Sequence, residues 1–83
     1  MNKIIVTGGL GFIGSNLVDL LIKKNFYVIN IDKATYSSNF YNVKEHQNSK
    51  NYKYIKLDIK DKRLKKVFFK YKPKCIFNFL EKS

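Results

Sequence analysis

The chain has 83 residues, 45% of them hydrophobic, and its 17 Lys and Arg outnumber 6 Asp and Glu to give a formal net charge of +11. That length holds at most one small domain. One cysteine, Cys75, excludes an internal disulfide, and one histidine beside it leaves no metal-ligand spacing. No apolar run nears the roughly 20 residues that a bilayer span requires. The short apolar stretch after Met1-Asn2-Lys3 gives way to glycine after Val6, which is not the pattern of a signal peptide. A soluble, reducing, cytoplasmic setting is therefore expected. The positive charge comes from sixteen Lys and a single Arg spread along the chain. A nucleic-acid reader would use more Arg for its bidentate fork, so a solvated surface is favoured over a nucleic-acid role.

In chain order, Lys3–Thr7 reads as a first strand and Gly11–Lys24 as a helix. Ile13, Leu17, Leu20 and Leu21 mark one side of that helix, with Val18 and Ile22 beside them. Tyr27–Ile31 is apolar almost throughout, as a strand covered on both faces should be. The polar stretch Asp32–Asn51 reads as a loop with a short helix at Asn39–His46, and His46 is expected to be solvated. Tyr52–Leu57 alternates as a third strand. Asp61 is a candidate cap for a helix carrying Leu64, Val67, Phe68 and Tyr71 at the i, i+3, i+4, i+7 spacing. The Phe68-Phe69 pair and Tyr71 are expected to face the core. Lys72-Pro73 ends this helix, and a fourth strand starts at Cys75, read as a small apolar filler. The alternation predicts an α/β fold: a partial Rossmann unit with a parallel sheet of about four strands in the order 3-2-1-4, flanked by helices and incomplete.

All four glycines fall in Thr7-Gly8-Gly9-Leu10-Gly11-Phe12-Ile13-Gly14, between the first strand and the first helix. In that context missing side chains let the backbone approach a diphosphate. The free N–H groups of the helix start then face its oxygens. Asp32 closes the second strand about 20 residues later, where a carboxylate accepts hydrogen bonds from both ribose hydroxyls of an adenosine. It repels a 2′-phosphate and so favours NAD over NADP, an exclusion that Lys33 softens.

The stretch Val6–Asn16, the segment Asp32-Lys33-Ala34-Thr35-Tyr36-Ser37-Ser38-Asn39, Asp58-Ile59-Lys60-Asp61 and Lys72-Pro73-Lys74 carry a specific resemblance. The chain resembles the N-terminal part of extended short-chain dehydrogenases/reductases and, among them, the dTDP-glucose 4,6-dehydratases. The resemblance covers essentially all of the chain but only about the first quarter of such an enzyme. It implies residues 1–83 as part of an NAD(P)-binding Rossmann domain, with no substrate domain. It implies that Gly8, Gly11, Phe12, Ile13 and Gly14 line the pyrophosphate, that Asp32, Lys33 and Thr35 hold the adenosine ribose, and that Asp58 and Ile59 meet the adenine. On residues alone, Asp58 reads equally as a loop acid or a helix cap. The family reaction oxidises a nucleotide sugar at C4 with NAD⁺, removes water across C5–C6 and returns the hydride to C6.

Two segments depart from the family pattern. Ser37-Ser38 replaces Ala-Gly, and Leu80-Glu81-Lys82-Ser83 replaces a small-residue Ala-Ala-Glu-Ser stretch, placing bulk and charge where alanines let the dinucleotide lie close. The family's catalytic Tyr-x-x-x-Lys pair sits on a helix. The only pair with that spacing here, Tyr52 and Lys56, falls on a predicted strand, where four residues span roughly 13 Å. No catalytic residue is therefore assigned. The readings that stay open are an NAD-binding segment of a dehydratase inactive by itself, a nucleotide-binding module completed by a second chain, another nucleotide-sugar epimerase or dehydratase, a gene remnant, and a basic nucleic-acid binder.

Overall fold

Parallel strand pairing organises the chain, seen here in a computed structural model that describes residues 2–34, 46 and 48–79. The elements run β1 (Lys3–Thr7), α1 (Phe12–Lys23), β2 (Tyr27–Asp32), β3 (Tyr52–Lys56), α2 (Leu64–Tyr71) and β4 (Cys75–Asn78). The four strands form one sheet in the order β3-β2-β1-β4, parallel throughout. Ile5 is level with Ile29 on one side and Ile76 on the other. The predicted architecture is therefore present, with element ends within one residue of expectation except at the start of α2.

Alternation along β1 and β2 divides the core between the two sheet faces. Ile4, Val6 and Val28 join Leu10, Val18, Leu21 and Tyr52 on the α1 face. Ile5, Ile29, Ile31 and Leu57 pack on the other face, against Leu64, Val67, Phe68 and Tyr71, the stripe residues of α2. Burying β1 and β2 on both sides explains their continuous Val/Ile character.

Several local expectations are corrected. α1 buries Gly14, Ser15, Val18 and Leu21, whereas Ile13 and Leu20 are exposed. The apolar residues wrap more than half the helix, and its small residues, which allow close approach to the sheet, decide which side faces inward. Phe69 points to solvent, at 79% exposure, so the Phe68-Phe69 pair is divided between core and surface. Cys75 is exposed because β4 is the outermost strand of this sheet. Asp61 does not cap α2: its carboxylate accepts from the Arg63 N–H at 2.8 Å and closes the turn ahead of the helix. His46 is buried, with Nε2 2.9 Å from Asp19 Oδ1 on α1 and its ring beside Tyr52. Most of the helix expected at 39–46 lies outside the described residues. Among those described, no helix is long and apolar enough to cross a membrane, and no cluster of His, Cys, Asp or Glu is placed to hold a metal ion.

Candidate functional site

The carboxyl ends of β1, β2 and β3 lie side by side, so the glycine turn, Asp32 and the Leu57–Ile59 segment share one edge of the sheet. In open parallel sheets ligands bind outside these ends. The turn is anchored to both neighbouring strands. Gly8 N–H donates to the Ile31 carbonyl at 2.8 Å, and Phe79 N–H donates to the Thr7 carbonyl at 2.9 Å. Thr7 Oγ1 also donates to Asn78 Oδ1 across the β1–β4 pair.

Gly8 has φ +77°, and a Cβ there would collide with the Phe79 carbonyl. A side chain at this position is thus opposed by both backbone conformation and space. A Cβ on Gly14 would collide with the Gly8 carbonyl, so the absence of a side chain lets the first turn of α1 rest directly on the loop. Gly11 is the N-cap residue and provides no side-chain cap. The amides of Phe12, Ile13 and Gly14 are the helix-start donors that lie ahead of the first intrahelical bond, from Ser15 N–H to Gly11 O at 2.8 Å. The Phe12 and Ile13 side chains are exposed. Together these features bring the helix-start amides and the positive end of the helix dipole to this edge of the sheet, an arrangement suited to a diphosphate.

Asp32 is buried at the end of β2, with its carboxylate directed toward the turn. Oδ2 accepts the Leu10 N–H at 3.2 Å and Oδ1 the Ala34 N–H at 2.8 Å. Its backbone carbonyl accepts the Tyr54 hydroxyl at 2.9 Å and the Leu57 N–H at 3.2 Å. Lys33 is exposed beside it, and Ala34 adopts a left-handed φ of +59°. Thr35 lies outside the described residues, as do Ser37, Ser38, Leu80 and Glu81. Asp58 is half-buried, and its Oδ1 accepts the Lys60 N–H at 2.9 Å in a local turn. Ile59 next to it is exposed.

Three residues supporting this edge were not singled out as such in the sequence. Asn30 is fully buried in β2, and its Nδ2 donates to the Tyr52 hydroxyl at 3.0 Å. Tyr54 holds the Asp32 backbone through the bond above. The available signals were one polar residue among Val28, Ile29 and Ile31, and two tyrosines on alternate positions of β3. Burial raises the Tyr52 phenol pKa, with a contribution from Asp32 and partial opposition from the Asn30 bond. Burial, then Asp32 and Tyr52, push Tyr54 up to about 12. A tyrosine that takes a proton from substrate needs the opposite shift. Tyr52 and Lys56 also lie along β3 rather than on a helix turn, so their spacing does not make a catalytic pair.

Comparison with known proteins agrees with this geometry. The profile described as GDP-mannose 4,6 dehydratase matches residues 5–81. The dTDP-glucose 4,6-dehydratase of Haemophilus influenzae is 40% identical over 85 residues, covering 100% of this chain and 25% of that protein. The Escherichia coli dTDP-glucose 4,6-dehydratase is 39% identical over 98% of this chain and 23% of its own length. Among solved structures, the Bacillus anthracis dTDP-glucose 4,6-dehydratase in complex with NAD superposes with a TM-score of 0.92 at 38% identity, over 99% of this chain and 27% of that one. The Thermotoga maritima UDP-glucose 4-epimerase reaches 0.81 at 30% identity, over 98% of this chain and 25% of its own. The chain thus spans about a quarter of the length of the relatives it matches. With nearly all of its residues inside one profile, the chain belongs to the GDP-mannose 4,6 dehydratase family.

Proposed function

We propose that this chain is the NAD-binding segment of a dTDP-glucose 4,6-dehydratase, forming the N-terminal part of its Rossmann domain. The observation that carries the reading is the Asp32–Leu10 contact, which joins the glycine turn to the end of β2. Turn and carboxylate thereby form one unit, with helix-start amides for a pyrophosphate and an acid for a ribose. The backbone of Gly8, Gly11, Phe12, Ile13 and Gly14 would receive the pyrophosphate. Asp32, with Lys33 and Thr35, would hold the adenosine ribose, while Asp58 and Ile59 would border the adenine. When bound, NAD⁺ supplies a hydride acceptor for the sugar C4 that later returns the hydride to C6. The part assigned to these residues is to bind and orient the dinucleotide, and proton transfer is assigned to none of them.

Two finer assignments accompany this reading. The exposed Cys75 thiol suits the reducing cytoplasm. Among the described residues β4 has no strand on its outer side and leaves Ile76 and Phe77 exposed, a surface suited to further strands from the rest of a dehydratase or from a second chain. Isothermal titration of the 83-residue chain with NAD⁺ and NADP⁺ tests the cofactor assignment. Saturable NAD⁺ binding is expected, with NADP⁺ weaker by about tenfold or more, equivalent to about 1.4 kcal/mol. Absence of heat with NAD⁺ at millimolar concentration would defeat the proposal.

A further inference from the structure

A fully buried acceptor lies directly beneath the glycine turn. Among the described residues Asn30 Oδ1 has no hydrogen-bond partner, although the same amide is fixed at its other end by the 3.0 Å bond from Nδ2 to the Tyr52 hydroxyl. An orphaned buried carbonyl weakens a fold, so stability alone does not account for asparagine among Val28, Ile29 and Ile31. The amide abuts Gly9. A Cβ on that residue would collide with Oδ1, lie 2.5 Å from Cγ and lie 2.9 Å from Nδ2. Those three Asn30 atoms are the nearest heavy atoms it would meet. Gly9 does not have the positive φ that marks Gly8, so its backbone conformation does not itself require glycine.

From this geometry we infer that Asn30 is a positioning residue: its amide, locked by Tyr52, is the seat on which the glycine turn rests, and it is what dictates glycine at position 9. The inference rests on the dinucleotide reading for its functional consequence, since the seat sets the height of the turn's amides without touching the ligand. Asn30 and Gly9 should therefore be coupled, whereas residues acting separately have additive effects.

A double-variant cycle of Gly9→Ala, Asn30→Ala and the pair decides this, with thermal unfolding and NAD⁺ calorimetry on the 83-residue chain. Gly9→Ala alone should weaken NAD⁺ binding by about tenfold or more, and Asn30→Ala by a smaller factor of about threefold. The double variant should bind within about threefold of Asn30→Ala, because the collision is gone. Gly9→Ala should also lower the unfolding midpoint by at least about 5 °C more in the native background than beside Asn30→Ala. Additive losses in both measurements, or a double variant that fails to fold along with Gly9→Ala, would overturn the seat. If the native chain binds no NAD⁺, the dinucleotide reading fails, and the thermal cycle still decides whether Asn30 dictates glycine at position 9. Asn30→Val gives an independent check. Made together with Tyr52→Phe, so that the buried hydroxyl bonded by the amide is not itself orphaned, the change to a strand-favouring apolar side chain should preserve or raise the unfolding midpoint while NAD⁺ affinity falls. A parallel fall in both would show a purely structural role and contradict the inference.

Discussion

Replacing Gly8 with alanine tests whether the turn is held by local geometry or merely tolerates glycine. Two costs follow from the structure. An L-residue at φ +77° loses about 1–2 kcal/mol relative to glycine. The new Cβ would also collide with the Phe79 carbonyl oxygen and lie 3.3 Å from its carbon, so the end of β4 must retreat. That movement strains the 2.9 Å Phe79–Thr7 bond, and losing a net backbone hydrogen bond costs about 0.5–1.5 kcal/mol. Together the penalty is about 1.5–3.5 kcal/mol. A chain of this size has about 4–12 kcal/mol of stability in total, so a shift of that size is easily measured. With no tryptophan in the sequence, urea unfolding is followed by far-UV circular dichroism. Gly8→Asn separates the two costs, because asparagine tolerates the left-handed region but keeps the collision. It should recover much of the conformational part and retain the collision's loss of about 0.5–1.5 kcal/mol. A Gly8→Ala chain within about 0.5 kcal/mol of the native one would refute this account of the turn.

Other consequences are open to direct measurement. Asp32→Ser, a change that would ordinarily relax selectivity toward NADP⁺, should lower NAD⁺ affinity by about tenfold or more without making NADP⁺ the better ligand, because the Asp32 carboxylate also accepts the Leu10 amide of the turn. A calorimetric preference for NADP⁺ would show that the carboxylate does not organise the turn. Bonds from Arg63 hold the Asp61 carboxyl at about 2, below its ordinary 3.8. The stabilising contribution is therefore present above pH 3.8 and is lost as pH falls toward 2, and Arg63→Ala should raise the NMR-detected titration only part of the way to its ordinary value, because the backbone N–H of residue 63 still donates to the carboxylate. Tyr54 should ionise near 12, about two pH units above an ordinary phenol. Its neutral form is favoured in the fold, so stability should decline between pH 10 and 12, and this part of the decline should vanish in Tyr54→Phe.

Much of the architecture was legible because it rests on patterns that a single strand carries within itself. The Ile4-Ile5-Val6 and Val28-Ile29 runs announce strands covered on both faces, and the glycines between strand and helix announce the turn. The orientation of α1 was less legible. Its apolar residues surround most of the helix, and the side that faces the sheet is chosen by how closely Gly14 and Ser15 approach the turn, a tertiary matter. His46 was hidden for a similar reason: its partner Asp19 is 27 positions earlier, on an element that only the crossover brings near. The glycines and Asp32 were readable as candidates from spacing. The Asn30–Tyr52 support was not, since strand pairing rather than sequence proximity creates it.

The central claim is that the glycine turn and the end of β2 form one dinucleotide site, and amide chemical-shift mapping during NAD⁺ titration tests it most directly. The largest shifts should fall on Gly8, Leu10, Gly11, Phe12, Ile13 and Gly14 and on Asp32 to Ala34, saturating together with one apparent Kd. Shifts confined to the lysine-rich opposite end, around Lys3, Lys70, Lys72 and Lys74, would mean that NAD⁺ meets only surface charge, and the account would be wrong.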